Sequence, residues 1–332
     1  MNSFTLADCT TVEAALSQLK NGAVVKAGGV DLLDRMKNGT DTPPRLVNIR
    51  SIKELRGIQA SLEGLRIGAL TTLAEIADHP AIRSDYRVLA DACGTAATPH
   101  IRNMATIGGN VLQELQCWYF RSAEFQCLRK GKDTCFAFSG LNQYHAIMDY
   151  GGCPSVAPSS GAVALLALDG SVELVSSKGK RTVAIKDFYV RPDANPHKFN
   201  VMEEGELLTA IHIPRPAPGT KSAYQKYGEK ESHDWAIADA AIVLEMDGNT
   251  CKRAVVAMGA ASPVVRRSPE AEAALVGKPI NQETARAAGK VSMTNAMPLS
   301  MNAYKVQLFP VAVYRTILLA AGQMERDPSA AG

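Results

Sequence analysis

The 332-residue sequence has very little net charge, a formal +3 at neutral pH. It has no basic stretch interleaved with aromatic residues, so the composition gives no support to nucleic-acid binding. It also lacks a run of the roughly 18–20 apolar residues that a membrane span requires. Its first residues have no basic start, and Asp8 and Glu13 interrupt any apolar core, which is unlike a signal peptide. We therefore expect a cytoplasmic protein without nucleic-acid partners or a membrane span.

The common catalytic motifs are also missing. There is no G-x-S-x-G, no H-E-x-x-H and no Walker loop. His100 and His145 lie near segments of interest, but neither belongs to a recognisable triad. The sequence predicts no catalytic residue of its own, so any chemistry would depend on bound cofactors.

The pattern of apolar residues predicts a mixed protein of one large or two smaller domains. Three closely spaced prolines, Pro214, Pro216 and Pro218, are followed by Gly219 and indicate a domain boundary. Helices are predicted at 11–22, 31–37, 73–78, 88–97, 271–276, 282–291 and 303–321. Strands are predicted at 23–27, 46–49, 65–69, 171–175, 236–245 and 253–259.

Two glycine pairs follow apolar or hydroxyl residues in the first third of the chain. Gly28-Gly29 comes after an apolar strand, and Gly108-Gly109 follows Thr106. Such turns let the main chain approach a ligand, and successive amides can form an anion-binding nest. Each pair is a weak signal, since most are ordinary turns and neither is G-x-G-x-x-G. Two pairs in one domain favour a dinucleotide over either pair alone.

Four of the seven cysteines, Cys117, Cys127, Cys135 and Cys153, fall within 37 residues in the order C-x9-C-x7-C-x17-C. Four thiolates can bind one tetrahedral zinc or one cubane iron–sulfur cluster. The usual short zinc knuckles are absent, and the wide, irregular spacing favours an iron–sulfur cluster. The alternative is four unrelated thiols. We interpret the other cysteines as small hydrophobic residues.

Taken together, AGG-x-DLL, IRN-x-ATIGGN, the cysteine segment and MNAYK resemble the FAD-binding (medium) subunit of the xanthine dehydrogenase family of molybdenum hydroxylases. The resemblance covers essentially the whole chain. The cysteine insertion is similar to the subset whose FAD subunit also holds a [4Fe–4S] cluster, including periplasmic aldehyde oxidoreductases and 4-hydroxybenzoyl-CoA reductase.

The resemblance implies an α+β fold. A two-lobed FAD-binding domain of the vanillyl-alcohol-oxidase-like (PCMH) type would span 1–218, with the cysteine-rich insertion at about 112–155. A smaller C-terminal domain of antiparallel sheet plus helices would span 219–332.

The resemblance also implies roles for individual residues. Cys117, Cys127, Cys135 and Cys153 would bind the [4Fe–4S] cluster. In two places this chain departs from the family, with Val30 for a Ser or Thr and Ser160 for an Asp. FAD would contact Lys26, Ala27, Gly28, Gly29, Val30, Asp31, Leu32, Leu33, Thr106, Ile107, Gly108, Gly109, Asn110, Ser160, Leu208 and Lys226.

The leading hypothesis is an electron-transfer subunit of a heterotrimeric molybdenum hydroxylase. A large partner would hold the molybdenum cofactor and a small partner the [2Fe–2S] clusters, and an external acceptor would take the electrons from FAD. One alternative is a stand-alone flavin oxidoreductase that acts on substrate at FAD. Another is a non-enzymatic iron–sulfur or zinc module. The resemblance also allows a periplasmic location, reached by export of the folded complex on a partner's signal.

Overall fold

The computed structural model describes residues 1–229 and 233–325. Helices and strands are mixed along this part of the chain, which confirms the predicted α+β class. The strands are β1 (Thr5–Asp8), β2 (Val24–Lys26), β3 (Arg45–Asn48), β4 (Ile58–Ala60), β5 (Gly64–Gly68), β6 (Ser171–Ser176), β7 (Gly179–Ala184), β8 (Leu207–Pro214), β9 (Thr220–Tyr227), β10 (Ala238–Asp247), β11 (Thr250–Gly259) and β12 (Arg266–Arg267). The helices are α1 (Val12–Gln18), α2 (Val30–Lys37), α3 (Leu73–Asp78), α4 (Pro80–Asp85), α5 (Arg87–Gly94), α6 (Pro99–Arg102), α7 (Ile107–Val111), α8 (Ser160–Ala167), α9 (Ile185–Phe188), α10 (Pro269–Leu275), α11 (Gln282–Val291) and α12 (Lys305–Ala321).

The first lobe is built on a small parallel sheet of order β1-β3-β2. Leu46 on the central strand pairs with Leu6 on one side and Val24 on the other. Helix α1 begins where the Thr11 hydroxyl accepts a hydrogen bond from the Ala14 amide, a standard N-cap. Strand β2 leads through the first glycine pair into α2, so the sheet brings this turn to its edge.

The second lobe is a five-stranded antiparallel sheet of order β4-β5-β8-β6-β7. On the central strand, Ile211 pairs with Ile67 and Val172, and all three side chains are fully buried. Every residue of α8 is buried, which explains why its sequence is apolar throughout rather than amphipathic. This helix joins the core of the sheet to the next domain.

The C-terminal part is a four-stranded antiparallel sheet of order β12-β11-β10-β9. Helices α10 and α12 pack on its strands, and α11 packs on these two helices. From the rest of the chain, α5 and α8 also contact the strands. Gly289 of α11 lies against α12, where an added Cβ would be 2.4 Å from the Pro310 carbonyl oxygen. In the part of the chain described, no helix combines the length and hydrophobicity needed to cross a bilayer.

Several element boundaries differ from the predictions. Helix α1 ends four residues early, since Asn21 and Gly22 adopt positive φ angles. Helix α5 ends at Gly94 instead of 97, where Ala97 has a φ of 46°. The edge strand β1 and the central strand β8 were not among the predicted strands. The second glycine pair was predicted to be a loop, whereas it lies in the helix α7.

The cysteine segment runs between α7 and α8 almost without regular structure. Its described features are one 3-10 turn at Leu128–Lys130 and an isolated bridge between Gln116 and Val156. The segment is held by aromatic contacts, including Tyr119 with Phe125 and Phe136. An irregular segment of this kind can direct thiols inward from distant positions in the sequence.

Candidate functional site

A cavity of about 870 Å³ lies where both lobes and the C-terminal part meet. This volume is within the range of small-molecule and cofactor sites. Thirteen of the sixteen residues that the resemblance assigns to FAD line it: Ala27, Gly28, Gly29, Val30, Asp31, Leu32, Thr106, Gly108, Gly109, Asn110, Ser160, Leu208 and Lys226.

The other three assigned residues do not line the cavity. The Lys26 ammonium donates to the Ala27 carbonyl and the Asn48 side chain at 3.5 and 3.4 Å. Leu33 folds back against Gly29. Ile107 is fully buried in the core under the five-stranded sheet, because it faces inward from the first turn of α7.

The two glycine turns come so close to neighbouring main chain that side chains are excluded. A Cβ on Gly28 would lie 2.0 Å from the carbonyl oxygen of Met104, and one on Gly108 would lie 3.0 Å from that of Ala69. Gly29, at the N-cap of α2, has a φ of 81°, a conformation that glycine adopts without strain. Glycine therefore lets main chain form the cavity wall at both turns. At the second turn the amides of Gly108 and Gly109 already donate to the Ala69 carbonyl and the Thr106 hydroxyl.

Thr106 and Asn110 fix the second turn. The Thr106 hydroxyl accepts a hydrogen bond from the Gly109 amide at 3.2 Å and so caps α7. The Asn110 side-chain oxygen accepts from the Ser159 hydroxyl at 2.7 Å and from the Gly161 amide at 3.2 Å. These bonds join α7 to the start of α8 and hold Ser160 at the cavity.

The C-terminal part contributes Lys226 from β9. Its ammonium donates to the carbonyls of Thr95 and Asp234 at 2.7 and 3.0 Å, and burial lowers its pKa. Behind the wall, the Tyr224 hydroxyl donates to the buried Asp239 carboxyl at 2.7 Å. Burial raises the pKa of Asp239 to about 6. A buried carboxyl of lowered acidity therefore lies behind this side of the cavity.

One end of the cavity is lined by a cluster of charges. Arg35 is 3.3 Å from the carboxylate of Asp31, 3.0 Å from that of Asp41 and 3.2 Å from that of Glu114. Arg121 is 2.7 Å from Asp31. Burial raises the pKa of Glu114 to about 7, against the opposing effect of Arg35. The net charge of the cluster is therefore small, and it changes when Glu114 gains or loses a proton.

Several residues of the wall were not predicted from the sequence, including Arg35, Glu114, Arg121, Asn200 and Trp235. Most of them reach the site through contacts that are distant in sequence. Trp235 could have been identified as a site residue from the sequence, because a large aromatic residue in a polar stretch is suited to face a ligand. Its side chain is 46% exposed, and the Arg121 guanidinium lies 5.8 Å from its ring centroid.

All seven cysteines are free thiols. Of the four in the cysteine segment, Cys117, Cys127 and Cys153 are buried and Cys135 is half-buried. Burial is the main reason that the pKa of Cys117 is raised to about 12, and Cys153 and Cys135 are close enough to add to that shift. Burial likewise raises the pKa of Cys135 to about 11, with contributions from Cys153 and Cys127. Cys135 thus lies within electrostatic range of the other three thiols.

Main-chain amides face two of these sulfurs. Tyr119 and Phe120 donate to Cys117, and Ala137 and Phe138 donate to Cys135. Such donors stabilise a thiolate more than a thiol. In the described residues, however, no three His, Cys, Asp or Glu side chains converge closely enough to hold one metal ion. The cluster assignment therefore stays a prediction.

Comparison with known proteins gives two family matches. Residues 2–216 match the FAD binding domain in molybdopterin dehydrogenase, and residues 222–320 match the CO dehydrogenase flavoprotein C-terminal domain. The chain is 33% identical over 303 residues to the aldehyde oxidoreductase FAD-binding subunit of Escherichia coli (strain K12), covering 90% of this chain and 92% of that one. It is 27% identical to the carbon monoxide dehydrogenase medium chain of Hydrogenophaga pseudoflava, covering 94% and 89%.

The fold agrees with these matches. The structure of a carbon monoxide dehydrogenase from Hydrogenophaga pseudoflava that lacks the Mo-pyranopterin moiety superposes with a TM-score of 0.76 at 26% identity. It covers 98% of this chain and 99% of that one. The relatives are oxidoreductase subunits, and the resemblance seen in the sequence is confirmed. The chain belongs to the family of FAD-binding medium subunits of molybdenum hydroxylases of the xanthine dehydrogenase and carbon monoxide dehydrogenase type.

Proposed function

We propose that this protein is the FAD- and [4Fe–4S]-binding electron-transfer subunit of a heterotrimeric molybdenum hydroxylase of the aldehyde oxidoreductase type. It would pass electrons from [2Fe–2S] clusters in a partner to an external acceptor. The observation that carries the proposal is the attachment of the cysteine segment to the cavity wall. Arg121 donates its amide to the Cys117 carbonyl at 2.9 Å, and its side chain lines the cavity.

The residues of the cavity fit FAD. The amides of Gly28 and Gly29 and the N-terminus of α2 would hold the diphosphate, since nests and helix N-termini favour anions. Leu208 would pack on the flavin, and Lys226 would reach it from β9. Val30 lacks the hydroxyl that most relatives have there, but the main-chain donors do not depend on a side chain. FAD, when bound, takes up electrons singly and releases them in pairs.

The cysteine segment fits a cubane better than a single ion. In a [4Fe–4S] cluster each thiolate binds a different iron, so the four sulfurs need not converge on one point. Cys117, Cys127, Cys135 and Cys153 would be the ligands. The amides that face Cys117 and Cys135 would stabilise them as thiolates. The cluster would be either a relay or a support for the loop.

The partners follow from the family. Relatives are described as medium chains and FAD-binding subunits, which supports a large molybdenum-cofactor subunit and a small [2Fe–2S] subunit. We place the complex in the cytoplasm, with periplasmic export on a partner's signal as the alternative. We also propose domains at 1–218 and 219–332 with the insertion at about 112–155, in line with the ranges of the two family models.

The cofactor content of anaerobically purified protein tests the proposal. We expect one FAD and about four irons per chain, because four thiolates close the shell of one cubane. FAD without iron would favour the stand-alone flavin oxidoreductase, and metal without flavin would favour the non-enzymatic module. Co-purification with a large and a small subunit would support the heterotrimer, and recovery of an active single chain would contradict it.

A further inference from the structure

One buried histidine contacts the cysteine site without being one of its four thiols. The side chain of His145 is almost fully buried, at 2% exposure, and its Nε2 lies 3.2 Å from the Sγ of Cys117. The rings of Trp118 and Tyr119 lie beside it, with centroids 5.9 and 6.2 Å away. Packing on several sides therefore fixes the imidazole against this one sulfur.

The C-terminal part holds the same residue from behind. The His145 carbonyl accepts hydrogen bonds from the Asn302 amide group and the Lys305 ammonium, both at 3.1 Å. Lys305 is fully buried and also donates to the Ala260 carbonyl at 2.6 Å. Both residues belong to the MNAYK motif at the start of α12. No residue of the motif lines the cavity, so these bonds give it a role that direct contact with FAD does not explain.

The position of the proton follows from the partners of the two ring nitrogens. Nδ1 of His145 is buried and has no hydrogen-bond partner among the described residues. A cysteine that binds a metal does so as a thiolate, which only accepts hydrogen bonds. A neutral imidazole has one N–H, and it can donate to the Cys117 thiolate only when Nε2 carries that proton.

We infer that His145 donates an Nε2–H hydrogen bond to the Cys117 thiolate and thereby raises the reduction potential of the cluster, with Asn302 and Lys305 holding it in place. This inference rests on the proposed [4Fe–4S] site. Reduction adds one negative charge to the cluster and its thiolates. A hydrogen-bond donor to sulfur stabilises that charge, and such bonds are among the factors that set cluster potentials. His145 is thus a positioning residue for Cys117 and not itself a ligand.

An EPR-monitored redox titration tests the inference in the purified protein. We expect His145→Leu, which has no donor, to shift the cluster midpoint to lower potential. His145→Gln keeps an N–H group and should stay nearer the wild type. The exposed His197 makes no contact with the cysteines in the described structure, so His197→Leu is the control and should leave the midpoint unchanged. A wild-type midpoint in His145→Leu would overturn the inference.

A second measurement needs no variant, so it decides the matter even if the His145 variants fail to fold. In wild-type protein labelled with ¹⁵N-histidine, pulsed EPR of the reduced cluster should show one weak nitrogen coupling. Absence of that coupling would overturn the inference, and so would a strong coupling, which indicates direct ligation of iron. If the wild type holds no iron, the proposed cluster itself fails. Iron without the coupling overturns the role of His145 alone.

Discussion

The guanidinium of Arg121 lies 2.7 Å from the carboxylate of Asp31, and this ion pair joins the cysteine segment to the cavity wall. Asp31 is in the first turn of α2, directly after the Gly28-Gly29 turn. The same guanidinium donates to the Glu114 carbonyl at 2.8 Å, and the Thr40 hydroxyl donates to the Arg121 carbonyl at 3.2 Å. The two proposed cofactor sites therefore share a single, nearly buried arginine.

We predict that Arg121→Met lowers both FAD affinity and stability. The side chains of Arg121 and Asp31 are only 9% and 17% exposed. Without Arg121, Arg35 still pairs with Asp31 but must also balance Asp41 and Glu114. The stability loss should therefore stay below the roughly 3 kcal/mol that a buried charge left without a partner costs. Urea unfolding and FAD titration of the apoprotein measure the two effects.

The control for Arg121 is Lys186→Met. Lys186 and Asp187 form an ion pair whose side chains are 66% and 61% exposed, and exposed pairs contribute less than about 1 kcal/mol. Equal stability losses in the two variants would show that the Arg121 pair does not hold the segments together.

We predict that Gly28→Ala abolishes FAD binding. The new Cβ would overlap the Met104 carbonyl oxygen, 2.0 Å away, and main chain cannot yield as a flexible side chain does. The overlap would push apart the first turn and the chain that leads into the second. Gly94→Ala is the matched control, because its nearest neighbour would be Ala77 Cβ at an ordinary 3.6 Å. FAD retention by Gly28→Ala, measured by fluorescence titration, would contradict the geometry of the site.

We predict that serine at Cys117, Cys127, Cys135 or Cys153 eliminates the cluster absorbance, since a hydroxyl is a much poorer ligand for iron. Cys251→Ser is the control: Cys251 is buried, and its Sγ donates to the Arg253 carbonyl at 3.3 Å, a bond that serine keeps. Iron analysis distinguishes the two groups. Full iron in Cys127→Ser would remove that residue from the ligand set. If that variant loses its iron yet substrate still reduces FAD, the cluster is not an obligatory relay.

The raised pKa of Glu114 predicts a pH-dependent stability. In the folded protein its pKa is about 7, whereas the unfolded value is near 4.3. Between these values the folded chain keeps a proton that the unfolded chain releases, so this contribution to stability is full below about pH 4 and is lost as the pH rises to 7. At 1.36 kcal/mol per unit the loss is roughly 4 kcal/mol. Glu114→Gln should lack it.

Denaturant unfolding of the apoprotein at pH 5 and pH 8 measures this difference. The wild type should lose more stability than Glu114→Gln over that interval. Parallel losses in the two proteins would mean that Glu114 is ionised throughout and that Arg35 dominates its environment.

The sequence predicted what depends on local pattern. The turns at Gly28 and Gly108 could be found because paired glycines are visible in the sequence itself, and α3 and α11 were predicted with their observed bounds. Strand β8 was missed because its burial on both faces leaves no alternation to detect. The edge strand β1 is short and largely exposed.

The candidate site was predictable only where family motifs mark it. Arg121 and Trp235 reach the cavity through contacts between distant segments, and no local pattern encodes such contacts. Arg35 lies one helical turn after Asp31 on α2, so its position could have been inferred. His145 was noticed in the sequence, but its contact with Cys117 depends on Asn302, more than 150 residues away. The contact between His145 and Cys117 could therefore be found only in the folded structure.

Iron-edge anomalous diffraction from crystals of the anaerobically purified holoprotein tests the central claim most directly. We predict one strong iron peak enclosed by Cys117, Cys127, Cys135 and Cys153, together with FAD density in the cavity between the two glycine turns. An iron peak elsewhere, or a cavity filled by FAD with no iron among the four cysteines, would contradict the account.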